Sequence, residues 1–339
     1  MGETISPDQI SRELENVWTS LAVPRGEEGS AGTLRACSMS LLVLAEENDD
    51  IQQLGETLAS LMPENPSRLI LVRVRVAGEK FSQARASAQC WRPFGQRRQI
   101  CCEQVQIELS DPAFADLPAL VAPILVPELP VILWCRSPRL FELPEFPSLA
   151  QLASKVLIDS DSFPDPRAIL DRMAAAARTG RFFGDLSWAR LTRWRELIAQ
   201  VFENPSYLAL LPETVEIRIQ LAGKDIPVSV WYFAAWLAEG VRAAGGEGRP
   251  AFRSGDATPT GPLERVELIR EGEPDLVASV AMIDENTAEI RAGTMVSRAA
   301  LSRATDSMLL REELAISGRD PIYEKTLPAA AALAISSST

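Results

Sequence analysis

The sequence predicts an α/β chain in which a mixed sheet is layered with helices and is followed by a smaller α+β domain. Three observations carry this. Stretches with strand character alternate with helical ones through the first 205 residues, the signature of a layered sheet. A short basic link, RPFGQRR at 92–98, joins two strand-like runs and favours an antiparallel pair, so the sheet is mixed. Beyond residue 205 strands dominate, with fewer helices between them. A length of 339 residues fits two domains at about 150 residues each. The boundaries expected are 1–205 and 206–339, the second closing in LPAAAALAISSST, a tail without amphipathic pattern that is expected to be loose.

In chain order, 7–22 reads as an amphipathic helix with Ile10, Leu14, Val17 and Leu21 on one side. Ser6 and Pro7 suit its N-cap and first position, and Gln9 completes a capping box, a simpler use of the start than the M-G-x-x-x-S acylation pattern it also matches. PRGEEGSAG (24–32) is a mobile connector, 34–45 a buried strand, 51–62 a helix and 68–76 a strand whose later part alternates. Strands follow at 84–91 and 99–109, a helix at 112–125, strands at 130–135 and 155–160, a helix near Leu149, and another at 166–178. In the second domain 214–221 is a strand, 228–243 a helix, and GGEGRPAFRSGDATPTGP (245–262) an exposed loop. Strands at about 264–270, 275–283 and 287–292 and a helix at 302–314 complete it.

Composition narrows the function. The chain has no histidine, which removes the commonest neutral-pH general base, the commonest metal ligand, and every Ser-His-Asp or Cys-His nucleophile. A net charge of −12 disfavours nucleic acid and anionic membrane as partners. The most apolar run, 119–135, is broken by three prolines and falls short of the about 20 apolar residues a spanning helix needs. No phosphate-cradling glycine motif, nucleophile elbow or C-x-x-C is present, so neither a cofactor nor a metal is expected. Five cysteines without secretory features fit a reducing cytoplasm.

Candidate functional residues fall in three groups. The stretch GDLSWARLTRWRELIAQVF (184–202) puts Trp194, Leu197, Ile198, Val201 and Phe202 on one helical face, with Thr192 as N-cap and Asn204-Pro205 as stop. Trp188, Arg190, Trp194 and Arg195 are the residue types that anchor protein interfaces, although the same spacing also describes a core helix. Asp159 and Asp161 end a buried strand, where sheets of this kind place ligand groups; with nearby arginines they could serve a sugar-phosphate enzyme or metabolite sensor, or simply cap the next helix. The cysteines Cys37, Cys90, Cys101, Cys102 and Cys135 all lie on expected strands. Cys101 and Cys102 point to opposite faces, so each could meet a thiol on a neighbouring strand in a redox switch, but reduced core thiols are the preferred reading.

The segments SRLILV (67–72), ICCEQVQIEL (100–109), LVAPILVPELPVILWC (120–135), KVLIDSDSF (155–163) and GDLSWARLTRWRELIAQVFENP (184–205) resemble the glucose-6-phosphate dehydrogenase assembly protein family, OpcA. The resemblance implies a non-catalytic cytoplasmic protein that binds glucose-6-phosphate dehydrogenase, promotes its active oligomer and activates it allosterically at the entry to the oxidative pentose phosphate pathway. In photosynthetic members this is tied to thioredoxin-linked redox control. That adds thioredoxin as a candidate partner, with no particular cysteine assigned the role.

Overall fold

The apolar run that begins at Met39 becomes the centre of an eight-stranded sheet, buried on both faces by the layers around it. The structure, a computed structural model, describes residues 5–22, 33–95, 98–255, 261–272, 275–316 and 318–336. The connector 24–32 and part of the link at 92–98 therefore lie outside the described residues. Two compact units divide the chain, 1–158 with 182–184, and 159–181 with 185–339. Residues 159–181 and 185–205, expected at the end of the first domain, thus have most of their contacts in the second unit. Their buried stripes pack on elements far ahead in the sequence, which local periodicity does not reveal.

The first unit carries strands β1 (Thr33–Arg35), β2 (Met39–Glu46), β3 (Ser67–Arg75), β4 (Ser82–Trp91), β5 (Gln99–Ser110), β6 (Val131–Cys135) and β7 (Lys155–Ile158), with β8 (Phe183–Asp185) at the far edge. Its helices are α1 (Pro7–Ala22), α2 (Ile51–Leu61), α3 (Leu117–Val121), α4 (Pro138–Phe141) and α5 (Phe146–Ala150). The spatial order is β5-β3-β2-β6-β7-β8, with β4 antiparallel to β5 and the pairs β5/β3, β3/β2, β2/β6 and β6/β7 parallel. Counting from β2, this is the 3-2-1-4-5-6 order of a doubly wound sheet. The mixed, layered sheet is as the sequence predicts.

The capping box on α1 forms: Gln9 accepts from the Ser6 amide at 2.8 Å and Ser6 Oγ from the Gln9 amide at 3.4 Å. Glu103, only 3% exposed, is held by Trp18 from α1, Arg35 from β1 and Arg68 from β3 at 2.5–2.7 Å. A buried carboxylate is tolerable only with such saturation. The helix expected at 112–125 is instead a 3-10 turn (Asp111–Asp116), the short α3, and another 3-10 turn (Ala122–Ile124). Pro112, Pro118 and Pro123 each remove a backbone donor, so a continuous helix cannot form.

The second unit holds α6 (Pro166–Arg178), α7 (Leu186–Ala189), α8 (Thr192–Val201), α9 (Pro205–Leu208), α10 (Val228–Ala243), α11 (Asp306–Ala315) and α12 (Pro321–Ser336). Its sheet has the order β10-β9-β11-β12-β13-β14, formed by β9 (Thr214–Ala222), β10 (Arg249–Gly255), β11 (Leu263–Arg270), β12 (Leu276–Met282), β13 (Thr287–Ala292) and β14 (Met295–Ala300). Among the described residues, β9/β10 is the parallel pair of this sheet, with α10 as its crossover, and the other pairs are antiparallel. Part of the expected exposed loop at 245–262 is therefore strand. Gly246 and Gly248 make the turn from α10, since a Cβ on either would come within 2.8 Å of Val241, and Gly248 has φ +53°. The glycines mark this reversal, and the strand lies just beyond it.

The tail expected to be loose is also corrected. Residues 321–336 form α12, which packs on α10 and α6 and buries Tyr323, Leu327, Ala330 and Ala334. Alanine adds almost no amphipathic signal, yet it is the best helix former and allows close helix approach. The helix expected at 302–314 begins later, at Asp306, with Thr305 accepting from the Met308 amide. The strand β14 before it has no counterpart among the expected elements.

Candidate functional site

The acidic end of β7 nucleates a polar network within the second unit. Asp159 accepts from Arg190 at 2.7 and 3.2 Å and from the Ser187 hydroxyl at 2.6 Å. Asp161 accepts from Arg190 at 3.2 Å and from the Ser229 amide at 2.8 Å, in the first turn of α10. Asp161 thus sits as the anion at the positive end of a sixteen-residue helix. The capping role weighed for this acidic pair is real for Asp161, but the capped helix lies 68 residues on. The next helix, α6, is capped by Asp165 instead.

Behind this pair Asp185, fully buried, accepts from the Ser160 and Ser187 amides and from the Tyr232 hydroxyl at 2.9–3.1 Å. Burial pushes its carboxyl up to about 7, against the pull of these donors, and the negative charge of Asp159 adds to the push. Asp159 itself goes the other way. Burial would raise it, but the Arg190 hydrogen bonds and charge, helped by Ser187, hold it below the usual carboxylate range. Asp161 is raised by burial, which the Ser229 bonds only partly offset. Arg190 is kept protonated despite burial by Asp159 and Asp161. Asp159 is thus engaged by Arg190 and Ser187, Asp161 by Arg190 and the Ser229 amide, and Asp185 by two amides and the Tyr232 hydroxyl.

Of the four residues considered for partner contact, Arg190 is part of this network and the other three are held by other neighbours. Trp188 is 2% exposed and donates from Nε1 to Asp320 at 2.9 Å, while Arg195 lies over its ring at 3.6 Å from the centroid. Trp194 is 8% exposed, packed edge-on against Phe233. Neither indole forms part of an exposed patch, and Arg190 is engaged by Asp159 and Asp161. Leu197, Ile198 and Val201 complete the buried face of α8 as expected, while Phe202 is half-buried at its C-cap. Thr192 does not cap α8, whose N-cap position is Leu191. The Thr192 hydroxyl is hydrogen-bonded to Glu312 and accepts from Arg195 at 2.8 Å. Asn204 caps the following helix, accepting from the Ser206 amide at 2.9 Å.

Beside Asp159 and Arg190 opens a cavity of about 880 Å³ within the same unit, with Arg193, Pro227, Met282, Leu301, Met308 and Glu312 among its walls. It is mixed in character, with apolar walls and charges of both signs. Among the described residues no group of three or more Cys, Asp or Glu could hold a metal ion.

In the first unit, the strand order directs attention to the crevice between the ends of β2 and β6, where doubly wound sheets bind dinucleotides. Here the chain reads Glu46-Glu47-Asn48-Asp49-Asp50, without the glycines that let backbone approach a pyrophosphate. Asp50 caps α2, accepting from the Gln53 amide. Arg136 pairs with Asp49 at 3.1 Å, and Arg139 with Glu46 at 3.0 Å and Asp111 at 2.8 Å. The cations are thus committed to carboxylates at the position a phosphate would need. These residues do not fit a dinucleotide.

Strand register brings two of the cysteines together, while Cys37 falls between β1 and β2 rather than on the expected strand. Cys90 and Cys101 face each other across β4 and β5 and form a disulfide, so the preference for reduced core thiols is corrected for this pair. Cys102 points the other way, its thiol donating to the Ala36 carbonyl at 3.2 Å, and Cys135 donates to the Ser137 carbonyl. Burial pushes Cys102 up to about 11 and Cys135 up to about 12, which disfavours their thiolates at neutral pH. Cys37 is half-buried. Among the described residues no helix is long and apolar enough to cross a membrane.

Comparison with known proteins gives the class. Two family models match in sequence order, both of the glucose-6-phosphate dehydrogenase subunit: its N-terminal domain over residues 59–175 and its C-terminal domain over 182–327. The chain is similar to the OxPP cycle protein OpcA of Synechococcus elongatus, 26% identical over 91% of this chain and 78% of that one. It is also similar to that of Nostoc punctiforme, 28% identical over 51% of this chain and 37% of that one. The chain belongs to the OpcA family. Among solved structures, biliverdin reductase from Synechocystis has a TM-score of 0.47 at 9% identity, covering 88% of this chain and 98% of that one. Aldose-aldose oxidoreductase from Caulobacter crescentus has 0.47 at 11%, covering 88% and 97%. Likeness at this level says nothing about chemistry.

Proposed function

We propose that the chain binds glucose-6-phosphate dehydrogenase, promotes its oligomeric assembly and activates it allosterically, without chemistry of its own. The observation that carries this reading is the pair of family models running through both units, each described as a domain of a glucose-6-phosphate dehydrogenase subunit. The commitment of Asp159 and Asp161 to Arg190 and a helix end supports the non-catalytic part. Activation requires tighter binding to the active than to the inactive form of the enzyme, since equal affinity shifts nothing. In this reading Trp188, Arg190, Trp194 and Arg195 serve the contact from inside, by fixing α7 and α8, of which α8 packs on β12. The protein works in the cytoplasm, and thioredoxin is a second partner to test at the cysteines. Co-purification with the dehydrogenase of the same source, and assay of that enzyme with and without the chain, tests the reading. An enzyme indifferent to the chain sinks it, and equal activation by oxidised and reduced preparations removes the thioredoxin part.

The cavity beside Arg190 favours one rival, a sugar-phosphate-binding enzyme or sensor. Saturable thermal stabilisation of the purified chain by glucose 6-phosphate, 6-phosphogluconate or NADP would support it.

A further inference from the structure

The six-stranded sheet of the second unit has two different faces. One is apolar, with Ile217, Ile219, Val266, Leu268, Val280 and Ile290 buried. On that side Trp231 of α10 meets Phe252 of β10. Strand alternation and the pairing register put the intervening residues on the opposite face, including Arg249 and Arg253 on β10, Arg218 on β9, Arg265 on β11, Arg291 on β13 and Arg298 on β14. Small residues, Ser279 and Ala281, occupy the middle of this face on β12.

Its charge differs from that of the chain. Among the described residues, six arginines stand on the face against Glu216, Glu264, Glu267 and Glu289 of the strands and Glu247 paired with Arg249, a surplus of one positive charge on a chain of net −12. Arg249, Arg265 and Arg291 reach solvent, 77%, 49% and 56% exposed, each paired with a glutamate at 2.6–3.4 Å, while Arg218 at 27% is more enclosed and Arg253 and Arg298 are exposed. Val296, in register with Arg291, is 59% exposed. Six strands about 4.8 Å apart and about 20 Å long present roughly 600 Å² of projected area. The relief of the long side chains brings this near the roughly 800 Å² per partner of a stable interface.

We infer that this polar sheet face is the docking surface for the dehydrogenase, and that it takes a flat, acidic face of that enzyme. The inference rests on the binding function proposed above and adds where the contact lies and which charge it selects. Charge argues for this occupant over a second copy, because two identical faces would each bring a positive surplus to the same contact. Ser279 and Ala281 at the centre are buried between the longer side chains of β11 and β13, so those side chains make the contact there, and the arginines of the edge strands β10 and β14 set orientation and rate of encounter.

The test uses the full chain with Arg253→Glu and Arg298→Glu together, two exposed positions whose replacement breaks no ion pair described above. The control carries Arg12→Glu and Arg85→Glu, the same charge change on α1 and β4. Binding to purified dehydrogenase is titrated in low and high salt, and circular dichroism checks that both variants melt as the parent does. The expected result is binding about thirty-fold weaker for the face variant in low salt, with loss of the parent's salt dependence, and little change for the control. Equal weakening of both variants, or parent-like binding by the face variant, overturns the docking surface. So does a self-associated parent whose dimer the Arg298→Glu change dissolves. A parent chain that does not bind the dehydrogenase at all overturns the function on which the inference rests.

Discussion

Arg190→Ala is expected to expose the balance on which the Asp159 network rests. The guanidinium holds two carboxylates, at 2.7 Å from Asp159 and 3.2 Å from Asp161, and its removal leaves both without their cation. Breaking a buried pair costs about 3–5 kcal/mol; with side chains still 18–28% exposed, solvent screening lowers the expected cost to about 2–4 kcal/mol at neutral pH. The pH dependence is the sharper part. In the parent, Asp159 is held low, so its contribution is present above the ordinary carboxylate value and is lost as pH falls through its depressed one. In the variant the opposing cation is gone and burial drives Asp159 upward, so stability is lost as pH rises. The part of the deficit owed to the parent's depressed Asp159 is therefore already present near pH 4, and the part owed to the buried, unpaired carboxylate of the variant is added on top of it by about pH 7, so the deficit is larger at the higher pH. Urea denaturation at both pH values, repeated with Asp159→Asn alone and in the double variant, gives the deficit and the coupling, expected at about 1–3 kcal/mol. A deficit below about 1 kcal/mol at the higher pH, or one equal at both pH values, would refute the reasoning.

Further outcomes are expected elsewhere. Asp185, raised to about 7, lends stability fully present below its ordinary value and lost between there and neutrality, by up to about 4 kcal/mol for three pKa units. Asp185→Asn keeps acceptors for the Ser160 and Ser187 amides, so it should flatten the parent's fall in urea midpoint between about pH 5 and 8; an unchanged slope contradicts the assignment. Reducing Cys90–Cys101, which closes a short loop with a separation of 11, should cost about 3 kcal/mol. Thiol titration of the denatured oxidised chain should find three free cysteines, and five would show that the bond is absent. Leu327→Ala, on α12 and 1% exposed, should cost about 2–5 kcal/mol in urea melts, whereas a tail that merely frays would cost nothing.

Where side chains signalled their own surroundings, the sequence was enough. The α1 capping box, the bounds of α6 and α10, the alternation of strands and helices and the missing histidine are local or compositional facts, and the family resemblance was carried by contiguous segments. The tertiary structure decided what depends on distant partners. Trp188 read as an interface residue because nothing near it in sequence foretells that Asp320, Tyr232 and Tyr323 enclose it. For Asp159 and Asp161 the sequence offered a ligand site or the cap of the next helix, and only folding brought Arg190 and the start of α10 against them; α12 read as loose because an alanine-rich helix shows no stripe. Cys101 found Cys90 only through strand register. Periodicity reports whether a residue faces inward, but burial partners, pairing register and the compensation of charge are set by chain segments tens to hundreds of residues apart, and only folding brings those together.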